Sequence, residues 1–147
     1  MKTNLFPDHW GLSTARISEY PALVRYRKGM IECEAAMKMN DILRIGWDYH
    51  TDDATLLPGV EEERRMQSFE NLLVPLVEAP LNGVLAVVIT HKGQRRWYFY
   101  SSNTEQILTA LHEMPQEIDP YPLTVNKKVA DNWDFYLDTI AQYSNEE

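Results

Sequence analysis

The strongest pattern along the chain is alternation. In DILRIGWDYH (41–50), Leu43, Ile45, Trp47 and Tyr49 fall on one side and Arg44 and Asp48 on the other, the period of a half-buried strand. PALVRYRKG (21–29) alternates similarly, with Ala22, Val24 and Tyr26 opposed to Leu23, Arg25 and Arg27. NGVLAVVITH (82–91) is apolar at both parities, which predicts a central or well-covered strand. GQRRWYFYSS (93–102) carries consecutive rings, Trp97 to Tyr100, and so offers aromatics to both faces. The link His91-Lys92-Gly93-Gln94 predicts a hairpin between these two strands. LTVNKK (123–128) alternates weakly and reads as a last strand.

Elsewhere the apolar period is helical. Met66, Phe69, Leu72, Leu73, Leu76 and Val77 predict a helix over 60–77, entered from the Pro58–Gly59 loop. Glu61 to Glu63 lie in its first turn, where the helix dipole favours negative charge. Pro75 should kink that helix or end it early. Ser102 and Glu105 have the spacing of a capping box before the stripe Ile107, Leu108, Leu111 and Met114. Pro115, Pro120 and Pro122 punctuate its exit. Asp131 caps a final helix with Trp133, Tyr136 or Leu137, and Ile140 facing inward, followed by a frayed SNEE tail. Residues 30–39 read as a connection. Residues 1–19 read as an irregular segment pinned by Phe6 and Trp10.

The order β-β-α-β-β-α-β-α contains β-α-β-β-α-β over 41–128. That order predicts an α+β class: a ferredoxin-like antiparallel sheet with helices on one face, plus an extra N-terminal strand and a C-terminal helix. The 21–29 strand must join an edge of the sheet or displace another strand. In this arrangement Trp97 and Phe99 belong to the helix-covered core, and Trp47, Phe69, Trp97 and Leu111 should be buried together. Tyr98, Tyr100 and Arg96 then occupy the opposite face, under the N-terminal segment and the last helix, with Trp10 and Trp133 packing there.

The 147 residues suit a single domain, and 44% hydrophobic content supports a real core. The formal charge of −8 changes the functional picture, because such a surface repels phosphate backbones and favours basic partners. The lone Cys33 excludes an internal disulfide and a multi-cysteine zinc site. MKTNLFPDHWGLS has no signal-peptide core, and no apolar run reaches bilayer-spanning length. These features predict a cytoplasmic protein that does not enter the membrane.

Candidate chemistry is sparse. His50, Asp52 and Asp53 in YHTDD, with Glu61 to Glu63 beyond, are the residue types that hold a divalent cation, yet their spacing matches no ligand motif. Polar turn residues and dipole-matched glutamates account for them better. Cys33 lies between Glu32 and Glu34, an environment that opposes thiolate formation. No phosphate-binding glycine loop occurs, and no cofactor is implied. KGQRRWYFY superficially resembles an RNA-recognition strand but lacks its second glycine.

The order and spacing of four landmarks resemble the domain-of-unknown-function family 695 of bacterial proteins. They are Trp10, the Pro58–Gly59 loop entering a glutamate-rich helix, RRWYFY (95–100) and DNWDFY (131–136). The resemblance spans nearly the whole chain and implies a compact α+β domain. Its association with domains of the RNase E inhibitor B type implies a cytoplasmic regulatory or inhibitory role. It brings no catalytic residue.

The reading that follows is a non-catalytic protein-binding or regulatory domain, docking onto a basic partner such as a nuclease and using Tyr98, Tyr100 and Arg96 as anchors. Two rivals stand beside it. A small metal-dependent hydrolase would need His50 to converge with Asp52, Asp53 or Glu62. An RNA-binding module would need an Arg/Lys stripe beside exposed rings of the 93–102 strand. The acidic charge makes a nucleic-acid partner the weaker expectation.

Overall fold

A computed structural model describes residues 5–115 and 121–144. Pro120 and the tail beyond Ser144 lie outside the described residues. Six strands, β1 (Trp10–Ile17), β2 (Tyr20–Arg27), β3 (Asp41–Asp48), β4 (Val84–His91), β5 (Gln94–Ser101) and β6 (Leu123–Lys128), form one antiparallel sheet in the order β1-β2-β4-β5-β3-β6. Three α-helices, α1 (Val60–Glu78), α2 (Thr104–Glu113) and α3 (Asp134–Tyr143), complete an α+β fold. Each of the first two helices crosses one intervening strand: α1 leads from β3 to β4 across β5, and α2 from β5 to β6 across β3. The second strand of the chain joins beside β4, which buries β4 between neighbours and explains its apolar character on both faces.

Two cores flank the sheet. On one side α1 and α2 bury Leu43, Ile45 and Trp47 of β3 with Trp97 and Phe99 of β5, Phe69 and Ile107. Trp47, Phe69 and Trp97 meet edge-on or tilted at 4.9–6.4 Å, and Leu111 packs against them partly buried. On the other side α3 and the 28–40 connection bury Val24, Tyr26, Met30, Tyr98 and Tyr100. The two landmark segments meet here. Tyr100 stacks on Trp133 at 3.8 Å, and Tyr98 on Phe135 at 4.1 Å. The Tyr100 hydroxyl donates to Asp131 Oδ2 (2.6 Å) and accepts from the Tyr136 backbone N–H (3.1 Å). RRWYFY and DNWDFY thus form one structural lock.

Several local expectations are corrected. Residues 10–17 form an edge strand rather than an irregular segment, because pairing with β2 organises a stretch whose covered positions, Gly11, Ser13 and Ala15, are too small or polar to show apolar alternation. Trp10 lies on the α1 side, 5.2 Å from the Arg25 guanidinium and 5.1 Å from that of Arg27, not beside Trp133. The helix α1 continues through Pro75 to Glu78. Pro75 costs the helix the one bond its N–H would give to the carbonyl of Asn71, but the ladder resumes beyond it, with the Pro75 carbonyl accepting from Ala79. Asn103, not Ser102, caps α2 by accepting from the Glu105 N–H. Asp131 reaches the Phe135 N–H, while Trp133 at the start of α3 takes a left-handed conformation (φ 68°). Of the two alternatives on α3, Tyr136 faces inward and Leu137 is 47% exposed.

Candidate functional site

The sheet is wider than the helices above it. Helix α1 packs over β4, so the α1-side faces of β1 and β2 extend past it and leave an open groove. Leu23, Arg25 and Arg27 of β2 point into this side, as do Trp10, Leu12 and Thr14 of β1, because alternate residues share a face. A groove of about 330 Å³ is lined by Leu12, Leu23, Arg25, Glu63, Val88 and Arg95, among others. Leu12 at its lip is 73% exposed. Among the described residues nothing pairs with the outer edge of β1.

The groove wall is built from a row of ion pairs. Glu63, Glu70 and Glu78 fall on one side of α1, and each meets an arginine from the sheet. Arg95 donates to both oxygens of Glu63 (3.2 and 2.7 Å) and through Nε to Thr90 Oγ1 (2.7 Å). Arg25 makes a two-pronged pair with Glu70 (3.0 and 2.6 Å), and Trp97 Nε1 donates to the same carboxylate (2.9 Å). Arg27 donates to both oxygens of Glu78 (2.7 and 3.3 Å) and to the carbonyls of Leu85 and Pro7. Burial pushes the Glu70 carboxyl upward, but hydrogen bonds from Arg25 and Trp97 and the Arg25 charge outweigh it and hold the carboxyl below the usual range. These pairs tie α1 to the sheet and rigidify the groove.

The sequence-derived candidates are distributed differently from expectation. Tyr98 and Tyr100 lie beneath α3, 7% and 0% exposed, so neither ring presents a surface to a partner. Burial and the Asp131 hydrogen bond push the Tyr100 hydroxyl well above the ordinary tyrosine range, which suits a permanent donor. Arg96 remains half-buried on that face. His50 Nε2 meets Asp52 Oδ1 at 3.2 Å with both side chains almost fully exposed, and Asp53 turns to Thr55. Glu62 accepts from Trp47 Nε1 (3.2 Å) instead of joining His50. Among the described residues no group of three or more His, Cys, Asp or Glu side chains could hold a metal ion. Arg95 and Arg96 point to opposite faces, and Trp97 is 1% exposed. Among the described residues no helix is long and apolar enough to cross a membrane.

Sequence reasoning overlooked Leu12, Glu70 and Glu78, and gave Arg25, Arg95 and Glu63 roles other than the ion pairs they form. The available signal was three glutamates on one side of a helix facing arginines at strand positions of the core parity. No curated protein and no solved structure matches the chain. A family model does, over a span that takes in Trp10, the Pro58–Gly59 loop, RRWYFY and DNWDFY. With residues 8–141 matched, the chain belongs to the family of unknown function DUF695.

Proposed function

We propose that this protein is a non-catalytic binding domain that accepts an extended segment of a basic protein partner along β1 and the groove beside α1. The observation that carries the reading is the uncovered β1 edge with Leu12 exposed over that groove. An exposed strand edge offers a row of backbone donors and acceptors, and an added strand uses them for affinity while alternate side chains enter neighbouring pockets for specificity. The two edges of the sheet differ in a way that favours β1. The β6 edge is short and carries Lys127 and Lys128, charges that discourage pairing, whereas β1 spans eight residues with only Arg16 charged.

The partner's charge follows from the rim. The Glu63 side chain, although paired with Arg95, is still 47% exposed at the groove, and the chain carries −8 overall. Basic side chains at alternate positions of the added strand would meet this rim, and long-range attraction would speed encounter. A nuclease or another nucleic-acid-handling protein has the required basic surface, and a regulatory or inhibitory role follows if the docked segment is part of that protein's working surface.

The test is selection of a random peptide library against the immobilised chain, followed by anisotropy titration of an enriched peptide. Enriched peptides should alternate apolar and basic residues, bind less tightly as salt rises, and lose at least about tenfold in affinity, roughly 1.4 kcal/mol, with Leu12→Lys. No enrichment, or binding indifferent to Leu12→Lys, would overturn the proposal.

A further inference from the structure

On the opposite face of the sheet two arginines stand apart from all those described above. Arg44 of β3 lies opposite Tyr98, and Arg96 of β5 lies opposite Gly46, so the two are diagonal neighbours on one face. Diagonal cross-strand positions are about 7–8 Å apart, within reach of a shared ligand for two long side chains. Both are half-buried. Among the described residues neither has a hydrogen-bonding or ion-pair partner, and Arg96 Nε is shut off from solvent with no acceptor. In contrast, Arg25, Arg27, Arg64 and Arg95 each hold a glutamate. In a chain with 22 acidic residues, two adjacent guanidiniums without a carboxylate are a conspicuous omission.

Polar side chains close over the strand between them. Gly46 lies at the centre, and a Cβ there would come within 3.0 Å of both Thr124 Oγ1 and Gln94 Nε2. A hydroxyl and an amide therefore already lean over the bare glycine. Thr124 faces Gly46 and Asn126 faces Arg44 from β6. Asp48, on the same face, accepts from Gln94 Nε2 at 2.8 Å.

We propose that Arg44 and Arg96, with Thr124 and Gln94 over Gly46, form a binding site for a phosphate group. A planar carboxylate is satisfied by one guanidinium fork, as Glu70 is by Arg25. Two forks plus a hydroxyl and an amide surround a tetrahedral anion from several directions, and the pair of positive charges matches a phosphate that is close to dianionic at neutral pH. An unpaired buried guanidinium N–H is costly, and a bound oxyanion relieves that cost. The site is on the α3 side, away from the β1 groove, so it stands or falls separately from the docking reading.

Inorganic phosphate, adenosine monophosphate and phosphoserine serve as probes, titrated by calorimetry and by melting temperature at a constant ionic strength of about 0.15 M, with acetate as the planar control. Inorganic phosphate should raise the melting temperature saturably, while acetate should not. Tighter binding of one of the esters would identify a nucleotide or a phosphorylated side chain as the source of the group. Arg96→Gln and Arg44→Gln should each weaken binding at least tenfold. Gly46→Ala, which keeps both charges but pushes Thr124 Oγ1 and Gln94 Nε2 out of place, should weaken it too while the circular dichroism spectrum stays that of the parent. A parent protein that binds none of the three probes, or phosphate binding unchanged in Arg96→Gln, would overturn the proposal.

Discussion

Replacing Glu78 with alanine is expected to destabilise the fold more than any other change to a charged pair on α1. The pair it forms with Arg27 is buried, with side-chain exposures of 9% and 4%. Glu78 also sits in the last turn of α1, where the helix dipole disfavours a negative charge. It is retained there by Arg27 and by the Leu85 N–H, which donates to Oε2 at 2.9 Å. Removing the carboxylate strands a buried guanidinium and a buried N–H together. Breaking a buried pair in this way costs about 3–5 kcal/mol, a large share of the ~5–15 kcal/mol that a domain has in total. At roughly 2–4 °C per kcal/mol for a chain near this length, the melting temperature should fall by about 6–20 °C. Urea denaturation of the parent, Glu78→Ala, Arg27→Met and the double variant measures the coupling. The double variant should lose clearly less than the sum of the singles, since it leaves no uncompensated charge. As a control, the exposed Glu61–Arg64 pair should contribute little, because solvent screens it. A Glu78→Ala protein that melts within about 2 °C of the parent, or strict additivity in the cycle, would refute the reasoning.

Glu70 supplies a pH test. Its carboxyl titrates below the ordinary range in the folded protein, so its contribution is present above the unfolded value of about 4.3 and is lost as pH falls through the folded value. Glu70→Gln should flatten that acid limb of the stability curve measured by thermal melts from neutral pH downward. Tyr100, Tyr136 and Tyr49 all titrate above the ordinary range, chiefly through burial, so the stability they contribute is present below about pH 10 and lost as pH rises beyond it. Alkaline unfolding followed by tyrosinate absorbance should show these hydroxyls ionising together with the loss of structure. Tyr100→Phe should cost about 1–3 kcal/mol in urea denaturation, because Asp131 and the Tyr136 N–H lose a buried partner. Gly11→Ala should destabilise the β1–β2 edge and shorten amide protection there, since its Cβ would fall 2.3 Å from the Tyr26 ring.

Alternation and helical spacing were enough to locate β2 to β6 and all three helices, because those signals are local: they record which face of each element is buried. The same alternation assigned Trp97 and Phe99 to one core and Tyr98 and Tyr100 to the other. What failed locally was β1, where burial alternates but the covered Gly11, Ser13 and Ala15 are small or polar and the exposed Leu12 is apolar, so hydropathy carries no period to read. The place of β2 beside β4 depended on contacts 60 or more residues apart in the chain, which no local pattern encodes. Charge roles were equally non-local. Arg25 and Arg96 look alike in sequence, each flanked by an aromatic residue within a strand. Only the folded sheet sets Arg25 against Glu70 and leaves Arg96 beside Arg44 without a carboxylate, because pairing depends on which face and which helix each side chain meets. Composition indicated an acidic chain with few chemical groups. Tertiary structure decided where that acidity is spent on internal pairs, where it faces outward, and where positive charge is left waiting.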